Sequence, residues 1–148
     1  MNKAKNNKKR IAGFSMIELM AVLIVIGLLG GLVALNIGNF TDRGRITTTR
    51  AKLKNLHGAV NQFKSDTGRY PSEEEGLIIL IEDPGDVSNY PEGGYIETTE
   101  IPLDGWDNEF YYELYPPSGK PFHILSFGAD GEPGGEGVNA DLSSTDAY

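Results

Sequence analysis

The chain has 148 residues, no cysteine and a formal net charge of −8. That length leaves room for one modest domain, the lack of cysteine excludes disulfides as its staples, and the acidic balance is unsuited to a nucleic-acid-binding face. The charge is also partitioned: five of thirteen basic residues precede Phe14, seven lie between Thr41 and Tyr70 beside two acidic ones, and from Glu73 onward Lys120 alone faces eighteen acidic residues.

The chain begins with a basic leader, Lys3, Lys5, Lys8, Lys9 and Arg10. Gly13-Phe14-Ser15-Met16-Ile17-Glu18 follows, and then a run from Leu19 to Leu35 with no charged residue. About 20 mostly apolar residues suffice to cross a bilayer as a helix, and a positive leader keeps the N-terminus cytoplasmic. A secretory signal has a shorter apolar core of about 7–15 residues and a small-residue cleavage site, which this run does not match. Glu18 is the anomaly. An ionised carboxylate costs roughly 2.5–3.5 kcal/mol at the bilayer centre and less near the interface, so it is a functional candidate by default. A plain membrane anchor gives it no role.

Beyond the run, Ile46, Leu53, Leu56, Val60 and Phe63 recur at helical spacing, with Arg43, Arg50, Lys54, Asn61 and Lys64 opposite. The pattern predicts that one helix continues to Ser65 and stops near Gly68-Arg69-Tyr70-Pro71. Ser72 and Glu75 form a capping-box pattern that predicts a short second helix through Ile81, burying Leu77 and Leu80. Asp83-Pro84-Gly85-Asp86 is a turn, and Gly93-Gly94-Tyr95-Ile96 leading to Ile101-Pro102 reads as loop or irregular edge. Two alternating runs, Glu109 to Tyr115 and Phe122 to Phe127, are joined by Pro116-Pro117-Ser118-Gly119 and predict an antiparallel hairpin. Trp106, Phe110, Tyr111 and Tyr112 are expected in core and sheet packing, with subunit contact as the lesser alternative. The fold class is α+β, a long N-terminal helix packed on a small antiparallel sheet.

The glycine-rich stretch from Gly128 to Gly137 has no periodicity and reads as loop, and Asp130 to Asp141 combines oxygen donors with tight turns. Calcium takes six to eight such oxygens in flexible geometry, and glycines let Asp130 meet Asn139 and Asp141. The EF-hand spacing is absent, and on pattern alone a solvated acidic loop explains the segment as well. His57 and His123 lie in no ligand or nucleophile motif. With no phosphate loop, zinc spacing or nucleophile elbow, no enzyme is expected.

The N-terminal arrangement resembles the class III signal of type IV pilins and pseudopilins. That resemblance implies cleavage after Gly13, N-methylation of Phe14, and Glu18 as fifth residue of the mature chain, pairing with the Phe14 ammonium of a neighbour during assembly. Past the signal, four stretches resemble the major pseudopilins (G subunits) of type II secretion systems. They are Asn61 to Pro71, Tyr90-Pro91-Glu92-Gly93-Gly94-Tyr95-Ile96, Pro102-Leu103-Asp104-Gly105-Trp106-Asp107, and Ser126-Phe127-Gly128-Ala129-Asp130-Gly131.

The resemblance implies a cleaved leader over 1–13, a transmembrane and assembly helix over 14–40, and a periplasmic head over 41–148 that includes the stem helix 41–66. It implies a single-pass inner-membrane protein polymerising with itself into a periplasmic pseudopilus that drives export. The expected partners are minor pseudopilins, a prepilin peptidase, an inner-membrane assembly platform and, indirectly, the secretin and exported cargo; nucleic acid is not among them. It also implies a calcium-loop C-terminal region, with side-chain oxygens from Asp130, Asn139 and Asp141 and carbonyls of Phe127 and Glu132. Two positions depart from the family: Asn139 stands where relatives commonly have aspartate, and Leu35 where they usually have proline. Without the leader, eight basic residues face twenty-one acidic ones, a net of −13, and a basic stem with an acidic head favours head-to-stem contact in a polymer. The rival readings are a type IV pilin or minor pseudopilin and, from another class, a monomeric membrane-anchored calcium-binding domain.

Overall fold

The computed structural model describes residues 15–146, with the backbone alone for residues 32–40. The chain divides between Asn39 and Phe40 into two units. The first helix, α1, runs from Met16 to Thr67, 52 residues without interruption, and so passes through Leu35 as helix. Ser15 caps its start: the Ser15 carbonyl accepts the Glu18 and Leu19 N–H groups at 3.1 Å, and its Oγ lies 3.4 Å from the Glu18 N–H. In the first unit the large apolar side chains among the described residues are exposed, from Met16 at 83% to Leu29 at 57%. Among the described residues no helix is long and apolar enough to cross a membrane. The described side chains of the apolar run stop at Gly31.

In the second unit α1 buries one face. Leu53, Leu56, Ala59, Val60 and Phe63 pack with Leu77, Ile79 and Leu80 and with Phe110, Tyr112, Phe122 and Ile124 to form the core. Each large apolar side chain so buried is worth about 1.5–3 kcal/mol. The stripe is the expected one, joined by a fully buried Thr49, while Ile46 is only half-buried. Gly68 ends the helix. Its φ of 85° suits a left-handed C-terminal residue, its N–H reaches the Lys64 carbonyl at 3.0 Å, and Lys64 Nζ donates to its own carbonyl at 2.7 Å.

The expected short second helix is present, in 3-10 form. Both capping-box bonds form, Ser72 N–H to Glu75 Oε2 at 2.8 Å and Glu75 N–H to Ser72 Oγ at 3.3 Å. The turn then closes at Gly76, with φ 57°, and a 3-10 helix follows over Gly76–Leu80 instead of an α-helix. Leu77 and Leu80 are buried as expected. Arg69 grips the same Glu75 with two hydrogen bonds of 2.7 Å and touches Asp86 at 3.2 Å.

Three antiparallel strands follow in the order β1 (Tyr111–Leu114), β2 (Phe122–Ser126) and β3 (Leu142–Ser143), with Tyr112 opposite Ile124 and Ser126 opposite Leu142. The hairpin is shorter than its two alternating runs. Tyr115, at φ 53°, turns out of the ladder, and Phe110 is buried outside it. Alternation sends Tyr112 inward, where its hydroxyl donates to the Pro71 carbonyl at 2.9 Å. It sends Tyr111 outward, 49% exposed, where it packs in the sheet against Phe127, and Trp106 is half-buried. β3 has no counterpart in the sequence reading.

The head is locked to the stem at Asp104-Gly105. Asp104 is 2% exposed; Oδ1 accepts the Trp106 and Asn108 N–H groups at 2.8 and 2.9 Å, and Oδ2 accepts the Ser126 hydroxyl at 2.6 Å. The next residue touches α1: Gly105 N–H donates to Thr49 Oγ1 at 2.8 Å, and a Cβ there would lie 2.5 Å from the Arg45 carbonyl oxygen. Asp104→Ala leaves three donors without their acceptor in a buried site, so it should lower stability by about 3 kcal/mol, read as a fall in the midpoint of denaturant unfolding. Glu75 offers a pH test. The Arg69 hydrogen bonds hold its carboxyl at about 2, well below the ordinary 4.5. A depressed folded-state value contributes stability that is complete above pH 4.5 and lost as pH falls toward 2. Glu75→Gln should therefore lower Tm at neutral pH and flatten its decline over that window.

Candidate functional site

Two regions carry the chemistry anticipated from the sequence. At the N-terminal one, Gly13 and Phe14 lie outside the described residues. Glu18 is exposed in the first turn of α1, where a negative charge is favoured by the helix dipole. Ser15 and Glu18 thus have the spacing of a helix-start signal, which gives the carboxylate a local role alongside any role between subunits. Around it the exposed residues are Met16, Ile17, Leu19 and Met20.

The second region is the C-terminal loop, and its closure is glycine-dependent. Gly128, at φ 68°, and Gly135, at φ 86°, both abut the Asn139 backbone: a Cβ would lie 2.7 Å from the Asn139 carbonyl carbon in one case and 2.6 Å from its oxygen in the other. Only glycine permits both the backbone conformation and the approach. Ala129 N–H donates to the Val138 carbonyl at 3.0 Å, joining the two limbs, and a 3-10 turn over Gly137–Asn139 leads toward β3. Asn108 Nδ2 donates to the Gly128 carbonyl at 2.9 Å, so the turn locked to the stem also steadies this loop. At its exit Ser144 is fully buried. It exchanges backbone and side-chain bonds with Ile124 at 2.8 and 3.0 Å, and its Oγ lies 3.1 Å from His57 Nδ1.

Within this frame the anticipated donors share one loop. Asp130 Oδ1 accepts the Glu132 N–H at 3.3 Å, and both Asp141 oxygens accept the Gly134 N–H at 3.0 Å. Asp130, Glu132 and Asp141 are exposed, while Phe127 and Asn139 are half-buried. Among the described residues no three of His, Cys, Asp and Glu group as a metal site. The anticipated set has a different make-up, two carboxylates, one amide and two carbonyls. All five are oxygen donors, which suits a hard cation taking flexible geometry and not zinc.

The histidines are structural. His57 stacks on Phe122 with ring centroids 4.6 Å apart, and burial lowers its pKa. His123 Nε2 meets Glu113 Oε2 at 2.8 Å across the β1–β2 pair. Sequence reasoning missed Thr49, Asp104, Asn108 and Ser144 as organisers; the Asp104-Gly105 pair was the one local signal available for them.

Comparison with known proteins gives the following. The family described as type II secretion system (T2SS), protein G, matches residues 36–145, and the prokaryotic N-terminal methylation motif matches residues 8–34. The type II secretion system core protein G of Pseudomonas aeruginosa is 32% identical over 142 residues, covering 94% of this chain and 98% of that protein. The protein of the same name from Vibrio cholerae is 34% identical over 138 residues, covering 92% of each chain. The crystal structure of the major pseudopilin from the type 2 secretion system of enterohaemorrhagic Escherichia coli superposes with a TM-score of 0.59 at 26% identity, covering 73% of this chain and 92% of that one.

Proposed function

The chain belongs to the type II secretion system protein G family, and from that membership we propose that it is the major pseudopilin of such a system, the structural subunit that polymerises into the pseudopilus. The observation that carries this reading is the start of α1: a capped helix whose first turn holds Glu18 and whose following side chains are apolar and exposed. A surface of that kind is stable only under a cover, either lipid or other subunits. The rival monomeric domain leaves Glu18 with no partner beyond its own helix start. The function is structural and not catalytic, consistent with a head whose two histidines are engaged in packing and cross-strand pairing.

The finer steps follow from the same reading. A prepilin peptidase cuts after Gly13 and Phe14 becomes the methylated N-terminus, consistent with the methylation motif over residues 8–34. The basic leader keeps that end in the cytoplasm, so the apolar run anchors the chain in the inner membrane and the head is periplasmic. Glu18 of one subunit then pairs with the Phe14 ammonium of its neighbour. Desolvation offsets much of the Coulomb gain, so the pair sets register more than it adds stability. Minor pseudopilins, the inner-membrane platform and the secretin are the partners of this assembly, with cargo engaged indirectly. Calcium is held by Asp130, Asn139, Asp141 and the carbonyls of Phe127 and Glu132, and supplies positive charge that draws the loop oxygens together. With no cysteine in the chain, this ion takes the place of a disulfide as clasp.

Mass spectrometry of the chain produced with a prepilin peptidase should show an N-methylated Phe14 terminus; a chain still carrying Lys3 to Gly13 would remove the pilin pathway. Glu18→Ala should leave cleavage intact and abolish pseudopili, and normal filaments from it would end the assembly role. Calcium at about one hundred times its dissociation constant should stabilise the full chain by about 2.7 kcal/mol. Chelator should reverse that gain, and Asp141→Ala should not show it; a Tm indifferent to calcium would remove the site.

A further inference from the structure

Beside the core of the head, an open groove of about 770 Å³ runs between the 3-10 helix, β1 and the segment 99–103. Its floor includes Ile78, Leu103 and Tyr111, which are 44%, 40% and 49% exposed. From Thr41 onward, four large hydrophobic side chains are exposed among the described residues, and these are three of them. Glu82, Glu100 and Glu109 stand exposed along its edges, and no basic residue lines it. An apolar floor under a one-signed rim is a place for a cationic, partly apolar partner.

The stem supplies a matching surface. Arg43, Thr47, Arg50 and Lys54 follow one another at intervals of four, three and four residues, which places them along one line of α1. At 3.6 residues per turn, that line is roughly a third of a turn away from the buried stripe of Thr49, Leu53, Leu56, Val60 and Phe63. All four are exposed, and neither Arg43 nor Arg50 forms an ion pair among the described residues. The helix is held by its own head on one side and carries this cationic line on another.

We propose that the groove receives the Arg43–Lys54 line from the stem of a second copy of this chain. The inference rests on the reading of the protein as a polymerising subunit, and it assigns that polymer one specific contact. Groove and line are different surfaces of the same molecule, so the contact is head-to-tail and leaves a free groove at one end and a free stem at the other. Repetition of such a contact gives an open filament unless the rotation happens to close a ring. The charges also set direction, because groove-to-groove and stem-to-stem encounters bring like charges together.

The absence of native cysteine makes the test direct. Two full-length chains are co-expressed with the secretion apparatus, one carrying Ile78→Cys and the other Thr47→Cys, and are oxidised. A disulfide-linked dimer of the two is expected, and none when Ser118→Cys in the hairpin turn replaces Ile78→Cys. In parallel, Arg43→Glu with Arg50→Glu should reduce sheared pseudopili by roughly tenfold or more, as should Glu82→Lys with Glu100→Lys and Glu109→Lys. Both sets in one chain should recover assembly, and each variant should keep the parental Tm. Normal filaments without the dimer would overturn the assigned contact while leaving the subunit reading intact. So would capture of a different protein at Ile78→Cys, or failure of the combined set to recover. A parental chain that forms no filaments at all would overturn both.

Discussion

The contact on which the head depends is polar and small: the Asp104-Gly105 turn seated on Thr49 of the stem. Asp104 gathers two backbone N–H groups and the Ser126 hydroxyl in a site almost closed to water. A buried carboxylate is tolerated only when its acceptor capacity is filled, so this residue fixes the turn, the end of β2 and the approach of both to α1 at once. Gly105 sets how close that approach is, because any side chain would collide with the Arg45 carbonyl. From the same turn Asn108 extends the support to Gly128 and thus to the C-terminal loop. Stem, sheet and loop are therefore positioned from one corner, and the apolar core fills the space that the corner defines.

What was legible in the sequence follows the range of the signal. The buried stripe from Leu53 to Phe63 shows because helical periodicity is local and repeats over several turns. The Ser72–Glu75 capping box shows too, down to its reciprocal bonds. What came after it did not, since Gly76 takes a positive φ that no capping pattern reports. The aromatic cluster shows as a group, and period-two alternation then sends Phe110 and Tyr112 to the core and Tyr111 to the outer face of the sheet. β3 is two residues long, too short for any period. The burial of Asp104 was invisible for a different reason: aspartate is ordinarily a surface residue, and its place in the core is set by partners at positions 106, 108 and 126.

The candidate sites divide in the same way. The composition of Asp130 to Asp141 announced a loop with oxygen donors, but the requirement for glycine at 128 and 135 arises from where Asn139 lies in space. The N-terminal methylation motif over residues 8–34 is a linear pattern, legible without structure. Glu18 stands between these cases. Its spacing after Gly13 is linear information, while its place in the first turn of α1 also suits a negative charge at the positive end of the helix dipole.

Ser144 ties the tail to both β2 and His57, and the His57 contact joins residues 87 positions apart. The stem is made early in synthesis and Leu77, Ile79 and Leu80 follow it closely, yet the rest of the cover over its apolar face, Phe110 to Ile124, comes roughly fifty residues later. The last polar latch, at Ser144, comes almost at the terminus. Non-local closure of this kind is slow relative to helix formation. The nascent chain therefore carries a formed or forming helix whose apolar face is only partly covered until the strands are made. The face is fully covered only once β2 has formed and Ser144 has closed on it, so a chain interrupted before Ser144 keeps an open seam at His57 and Ile124.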